Sequence, residues 1–266
     1  MVKVLVIITT AFVPYGGLTT VAMNYYRHID KTRFHIDFAS TNKVLDSKLS
    51  AELEQNESKY YCLGNRKKDI FSYARKLNQV IKDSSYDVIH VNSNSATAAM
   101  ELWIAKKNGV QKRIVHNHTS ICDHKILNNL MKPFFDRLYT DTVACSVKAG
   151  EWLFGKVQFH VLNNGIDAEH YRYDQQKRRE IRDKYGINES TVVIGHLGKI
   201  YKPKNHHYIV EIFDKYHKMN SNSCLFLVGD GEMRGEIEED VRQRKLENDL
   251  IKPCLMSMLR GLEWVS

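Results

Sequence analysis

Apolar runs and helical stripes alternate from the first residues of the chain. Val2–Ile8 is an almost unbroken apolar run, the pattern of a strand buried on both faces. Leu18, Val21, Ala22, Tyr25 and Ile29 follow at helical spacing, and Phe34–Ala39 and Tyr60–Leu63 read as the next two strands. Asp69 is placed to cap a helix with Ile70, Tyr73, Leu77, Val80 and Ile81 on one stripe. A fourth strand at Asp87–Val91 leads into a helix over Ala96–Lys106, and Arg113–His116 reads as a fifth strand. Ile126, Leu127, Leu130, Phe134, Phe135 and Leu138 give the apolar face of the following helix, which Pro133 is expected to kink or restart. Thr142–Cys145 and Val157–Leu162 complete seven strands.

This order implies a parallel sheet with helices on both faces. Asn163–Asp167, N-N-G-I-D, is a turn signal, and Tyr171–Tyr185 reads as one exposed helix. The pattern then restarts with a strand at Val192–Leu197, a helix at Asn205–Tyr216, a strand at Cys224–Val228 and a helix at Arg234–Leu246. Leu250–Ile251 is a candidate third strand of this second unit, fewer than a doubly wound sheet of about five or six strands. The expected division is therefore a complete domain at 1–170, a linker helix at 171–190, a partial domain at 191–251 and an atypical tail at 252–266. The tail carries Met256, Leu259, Leu262 and Trp264 without strand–turn–helix grammar, and reads as a packing helix or a foreign, frameshifted end.

Composition narrows the classes. The 266 residues are 43% hydrophobic and 26% charged, with 4 prolines and 14 glycines, which excludes disordered, collagenous and mucin-like chains. The net charge of +8 favours anionic partners without choosing among them, and residues 1–170 carry 22 basic against 16 acidic side chains. No basic–aromatic nucleic-acid reader is present, so no nucleic acid is expected as a partner. Cys62, Cys122, Cys145, Cys224 and Cys254 are odd in number and widely spaced, which suits buried, reduced cytosolic thiols. The opening apolar run is too short to span a bilayer and lacks a signal-peptide cleavage site.

Several positions are suited to chemistry. Gly16 and Gly17 lie between the first strand and the first helix, where a backbone can approach a phosphate or sugar, although G-x-G-x-x-G is absent. His116-Asn117-His118 ends the fifth strand, with both imidazoles on one side. No third metal ligand is identifiable beside them, so no metal site is expected, and His118 falls where sites are built. Gly198-Lys199, with Lys202 and Lys204, follows the first strand of the second unit, where point charges before a helix suit a diphosphate. Gly229-Asp230-Gly231 ends the next strand as a turn. Glu239 and Glu247 lie in a charged stretch that reads as a solvated face.

The segments PYGGLTTVAMNYYRHID, DVIHVN, RIVHNHTS, ACSVKAGEWLFG, VLNNGID, VVIGHLGKIYKPKNHHYIVEIF and LFLVGDGEMR stand in that order over residues 1 to about 251. Together they resemble bacterial glycosyltransferase family 4, retaining nucleotide-sugar-dependent enzymes of GT-B fold, with a flavour of capsular and extracellular polysaccharide synthesis. The resemblance implies an α/β, GT-B-like chain with one complete Rossmann-like parallel-sheet domain and an incomplete second one facing it across a cleft. It implies transfer from a nucleoside diphosphate sugar to a glycan or lipid-linked acceptor.

Under that resemblance Gly16 and Gly17 approach the donor phosphates and the acceptor, and His118 sits by the reacting sugar as the catalytic residue. Lys199 stands where the family usually has arginine, keeping the charge but not the bidentate fork. Lys204 matches its partner lysine, and Gly198, Gly229 and Asp230 lie near the nucleotide. These lysines would neutralise the departing diphosphate, with no metal and no other cofactor. A cytoplasmic chain, peripheral at the anionic inner face of the plasma membrane, fits the basic first domain.

The family's glutamate pair in E-x7-E spacing is not matched. Glu239 and Glu247 have the spacing but lie before the place where the motif belongs and lack its loop. The expectation is therefore a truncated donor domain and weak or absent activity. The rival reading is a non-catalytic acceptor-domain module that binds a partner chain. A sugar-nucleotide epimerase of similar fold is a further alternative without a specific sign in its favour.

Overall fold

A computed structural model describes residues 1–251 of the chain, apart from Tyr15, Val44, Asp123 and His170. It separates into two compact units, Met1–Tyr171 and Arg172–Ser266. The first is a seven-stranded parallel sheet of order β3-β2-β1-β4-β5-β6-β7. Its strands are β1 (Val2–Ile8), β2 (Phe34–Ser40), β3 (Tyr60–Cys62), β4 (Val88–Ser93), β5 (Lys112–Asn117), β6 (Asp141–Ala144) and β7 (His160–Val161). Every pair is parallel, with Val4 opposite both Ile36 and Val88. The expected α/β class with a complete parallel sheet is what the chain adopts.

Alternation along β1 builds two cores. Leu5 and Ile7 join Ile89, Val91, Val115 and Ala144 on one face, under α3 (Ile70–Ser84), α4 (Ala99–Lys107), α5 (Lys125–Phe135) and α6 (Val147–Phe154). Val4, Val6 and Ile8 join Ile36 and Phe38 on the other, under α1 (Gly17–His28) and α2 (Ser47–Gln55). Asp69 caps α3 through the Ser72 N–H at 2.8 Å, as its position predicts. α2 is an element the apolar pattern does not predict; its marks are Asp46, accepting from the Lys48 and Leu49 N–H groups, and the buried pair Leu49 and Leu53.

α5 departs from expectation twice. The helix does not restart at Pro133, which lies inside an unbroken run from Lys125 to Phe135, two residues before its end. The only bond it forfeits is the one its own N–H would have made. The predicted core-facing stripe is also largely outside. Ile126 is 87% exposed and Leu130 75%, while Asn128 and Phe135 are buried. Asn128 turns inward because its Oδ1 accepts the Ala96 N–H at 2.8 Å, closing the short 3₁₀ turn Ala96–Ala98 that precedes α4.

The second unit opens with α7 (Gln175–Lys184), on which no residue is buried. Asp174 caps it from the Gln176 and Lys177 N–H groups. A parallel sheet of order β10-β9-β8 follows, three-stranded among the described residues: β8 (Val192–Leu197), β9 (Ser223–Val228) and β10 (Leu250–Ile251). α8 (His206–Met219) and α9 (Arg234–Gln243) pack on it through Val210, Phe213, Ile237 and Val241. α9 ends three residues earlier than expected, with Lys245 turning at φ 59°. Cys224 is buried, but Cys62, Cys122 and Cys145 are half-buried, so the burial expected of the thiols holds for one of four; Cys254 and the tail residues 252–266 lie outside the described residues.

Candidate functional site

In the first unit the carboxyl ends of β1, β4 and β5 come together. The Thr9 N–H and hydroxyl both donate to the Asn92 carbonyl, joining the loop after β1 to the end of β4. Asn92 Oδ1 lies 2.9 Å from His118 Nε2, just past β5. An amide oxygen only accepts, so this contact assigns the proton to Nε2 of a neutral His118. His118 Nδ1 is buried and makes no hydrogen bond.

His118 does not stand alone. Its ring lies 4.0 Å from that of His116, which stacks at 5.5 Å and 11° on His90 of β4. The i, i+2 pair is therefore on one side of the strand, as expected, and His90 of β4 completes the column. Burial lowers all three pKa values: His90 to about 4, with the charge of His118 contributing, His116 to about 2, with both neighbours contributing, and His118 to about 4, opposed by the Asn164 side chain. All three are neutral near pH 7. Among the described residues no group of three or more His, Cys, Asp and Glu side chains could hold a metal ion.

Gly16 and Gly17 occupy the loop before α1. Gly16 is tightly held: a Cβ there would sit 3.0 Å from Val13 Cγ2. A Cβ on Gly17 would meet nothing within 4 Å, so packing does not require glycine at that position. No side chain caps α1 and its first turn holds no acid, so its leading N–H groups remain available to an anion. Tyr25 and Asn24 of α1 donate to the carbonyls of Asn163 and Gly165, which seats the N-N-G-I-D turn against the helix.

The second unit presents its own carboxyl edge. The Gly198 N–H donates to the Val228 carbonyl and the Ile200 N–H to that of Asp230, so the loops after β8 and β9 lie side by side. A Cβ on Gly229 would stand 1.9 Å from the Gly198 oxygen, and one on Gly231 would stand 2.1 Å from the Ile200 oxygen. Close approach of two backbones explains both glycines. Asp230 Oδ1 accepts the Gly231 N–H and lies 3.7 Å from the Arg234 guanidinium. Lys199 and Lys204 are exposed, the ammonium of Lys199 lying 5.2 Å from the Tyr201 ring centre. Lys204 leads through Asn205, at φ 50°, into α8, which has no side-chain cap and no acid in its first turn.

Sequence reasoning missed His196 and His206 here. Their rings meet edge to face at 4.8 Å, and burial with the charge of Lys204 lowers both pKa values. Their position at a strand end and a helix start was the available signal. Glu239 pairs with Arg242 on α9, while Glu247 lies beyond the helix in a 3₁₀ turn.

Comparison with known proteins gives these edges a context. The family model described as Glycosyltransferase Family 4 matches residues 15–170, and the one described as Glycosyl transferases group 1 matches residues 177–252. The putative glycosyltransferase EpsF of Bacillus subtilis (strain 168) is 27% identical over 248 residues, 89% of this chain and 64% of EpsF. The chain thus spans slightly under two thirds of the length of that relative. The crystal structure of Anabaena HepE in complex with UDP-glucose is similar at a TM-score of 0.73 and 17% identity, covering 100% of this chain and 72% of HepE. The UDP-GlcNAc 2-epimerase of Neisseria meningitidis bound to UDP-GlcNAc is similar at 0.57 and 14% identity, over 99% of this chain and 76% of the epimerase. At such identities the structures carry the GT-B-like fold and nothing finer.

Proposed function

The chain belongs to glycosyltransferase family 4, and on that premise we propose that it serves transfer of a sugar from a nucleoside diphosphate sugar to a glycan or lipid-linked acceptor, with retention at the anomeric carbon. Surface polysaccharide synthesis at the inner face of the membrane is the setting this reading favours. The observation that carries the reading is the carboxyl edge of the second unit, where Lys199 and Lys204 stand before the uncapped start of α8. A departing diphosphate needs compensating charge as it leaves, and two ammonium groups beside a helix N-terminus supply it without a metal. UDP-sugars are the first donors to try, since UDP-glucose is the ligand seen with HepE.

In the first unit the reading gives His118 a sugar hydroxyl. With Nε2–H committed to Asn92, Nδ1 accepts a hydrogen bond from that hydroxyl and orients the sugar. The open space at Gly17 and the bare N-terminus of α1 admit phosphate or acceptor oxygens. Glu239 and Glu247, which have the family's spacing, lie on α9 and in the following turn, and this reading gives them no role.

The test is transfer from labelled UDP-sugars to a lipid-linked acceptor, in parallel with calorimetric titration of UDP and with EDTA present or absent. UDP binding weakened about tenfold or more by Lys204→Ala supports the reading. UDP binding without transfer to any acceptor favours the non-catalytic module. Wild-type protein that binds no UDP overturns both the donor site and its lysines. Turnover abolished by EDTA overturns metal independence.

A further inference from the structure

We propose that the outward face of α5 docks the first unit onto an anionic phospholipid surface. This deepens the membrane part of the proposed function and does not depend on the transfer chemistry. The inward side of α5 is already occupied, since Phe135 is buried, Met131 packs against the core and Asn128 is bonded to Ala96. Its outward side carries Ile126, Leu130 and Phe134 at successive intervals of four, with Leu127 beside them, all exposed. Ile121, just upstream, is 68% exposed. A single exposed leucine needs no explanation, but an apolar stripe running the length of a helix does.

Charge selects the occupant. Residues 96–139 hold seven Lys and Arg side chains and three acids. Of the described acids, Glu101 is buried against Arg66, and Asp136 is paired with Lys132. Lys125 opens α5, and Arg137 follows its end. Lys106 of α4 reaches the Arg137 carbonyl at 3.5 Å, bringing the basic end of α4 to the end of α5. Lys107 lies 5.4 Å from the ring centre of Trp103, a half-exposed indole on the same helix. An exposed apolar stripe with Lys125 at its start and Lys106 and Arg137 at its end has the chemistry of a helix lying in a lipid–water interface. A second copy of this chain is disfavoured as the occupant, because a two-fold pair would set these cations against one another. Among the described residues no helix is long and apolar enough to cross a membrane, so the attachment is by a surface.

The experiment sediments the full chain with vesicles of phosphatidylcholine alone and with about one third phosphatidylglycerol, at low and physiological salt. Binding is expected on the anionic vesicles only, weakening as salt rises. The double variant Ile126→Ser/Leu130→Ser is expected to lower partition at least tenfold, while circular dichroism shows it folded. Lys106→Gln/Lys107→Gln/Lys125→Gln is expected to lower anionic binding and flatten its salt dependence. Phe71→Ser, an exposed apolar site on α3, is expected to change nothing.

Wild-type protein that ignores anionic vesicles, or a double variant that binds them as wild type does, overturns the proposal. A dimer in light scattering that the double variant disperses, with vesicle binding unchanged, assigns the stripe to self-association and also overturns it. Transfer to a water-soluble acceptor is read separately. Docking without transfer removes the enzyme reading and leaves this one standing.

Discussion

The histidine column predicts a specific acid sensitivity of the first unit. His90 and His118 are held at about 4 and His116 at about 2, against about 6.5 in an unfolded chain. Their folded pKa values are depressed, so their contribution to stability is complete above about pH 6.5 and is lost as pH falls through the window to 4, and further for His116. Between pH 7 and pH 5 each residue accounts for roughly 2 kcal/mol, from about 1.5 pH units below the unfolded pKa at 1.36 kcal/mol each. The charge of His118 is one cause of the other two shifts, so about 6 kcal/mol for the column is an upper figure. That is comparable with the whole stability of a domain, ~5–15 kcal/mol.

The perturbation is His116→Leu, at a site that is fully buried and makes no hydrogen bond through either ring nitrogen. The assay is urea unfolding followed by circular dichroism, for wild type and variant, at pH 7 and pH 5. Wild type is expected to lose several kcal/mol over that interval and the variant roughly 2 kcal/mol less. Carboxylates and distant histidines contribute equally to both proteins, so the difference of differences isolates the column. Equal losses in the two proteins at unchanged m-values would refute the reasoning.

Four further outcomes follow from the geometry of the two units. Arg66→Met strands the buried Glu101, whose pKa burial already raises, and is expected to cost about 3–5 kcal/mol at neutral pH. Because that carboxyl is raised, its stabilising term is present at low pH and lost as pH rises, so the variant should recover part of the loss at pH 5 in denaturant titration; an equal cost at both pH values would contradict this. Gly231→Ala drives a Cβ to 2.1 Å from the Ile200 oxygen and should destabilise the second unit by about 1–3 kcal/mol. Gly17→Ala, with open space, should leave the melting temperature unchanged while weakening whatever phosphate or acceptor approaches α1. Asn92→Ala should release the Nε2 proton of His118, visible as a changed tautomer ratio in nitrogen NMR of the ring, and lower turnover about tenfold where turnover is measurable; an unchanged ratio removes Asn92 as the positioning residue.

The strands were legible because a parallel sheet buried on both faces writes itself as apolar runs. Val2–Ile8 needed only that rule, whereas Phe34–Ala39 is legible by the alternation of Phe34, Ile36 and Phe38 with His35 and Asp37; the alternation within β1 then divides its residues between two cores. α2 was not legible from its stripe, since nine residues with two buried leucines barely exceed chance, and its clearer mark is Asp46 as a cap. The glycines show the limit of motif reading. Gly16-Gly17 and Gly229-Asp230-Gly231 look alike in sequence, yet Gly229 and Gly231 are glycines because one loop lies against another, while nothing in the protein requires it of Gly17. Only the three-dimensional approach distinguishes a glycine kept for packing from one left open.

α5 makes the same point about hydrophobicity and turns it toward function. Periodicity reports that a helix has an apolar stripe and is silent about what the stripe faces. The inward register of α5 was decided by a polar residue, Asn128, whose hydrogen bond to Ala96 costs little and satisfies a buried N–H. Once that bond and Phe135 set the helix rotation, Ile126 and Leu130 had to point out. A chain selected only for stability gains nothing from leucine there, since serine or lysine would serve the exposed face as well. On the proposed reading the stripe is kept for a partner surface, and the cations near both ends of α5 are the reason the proposal names anionic lipid.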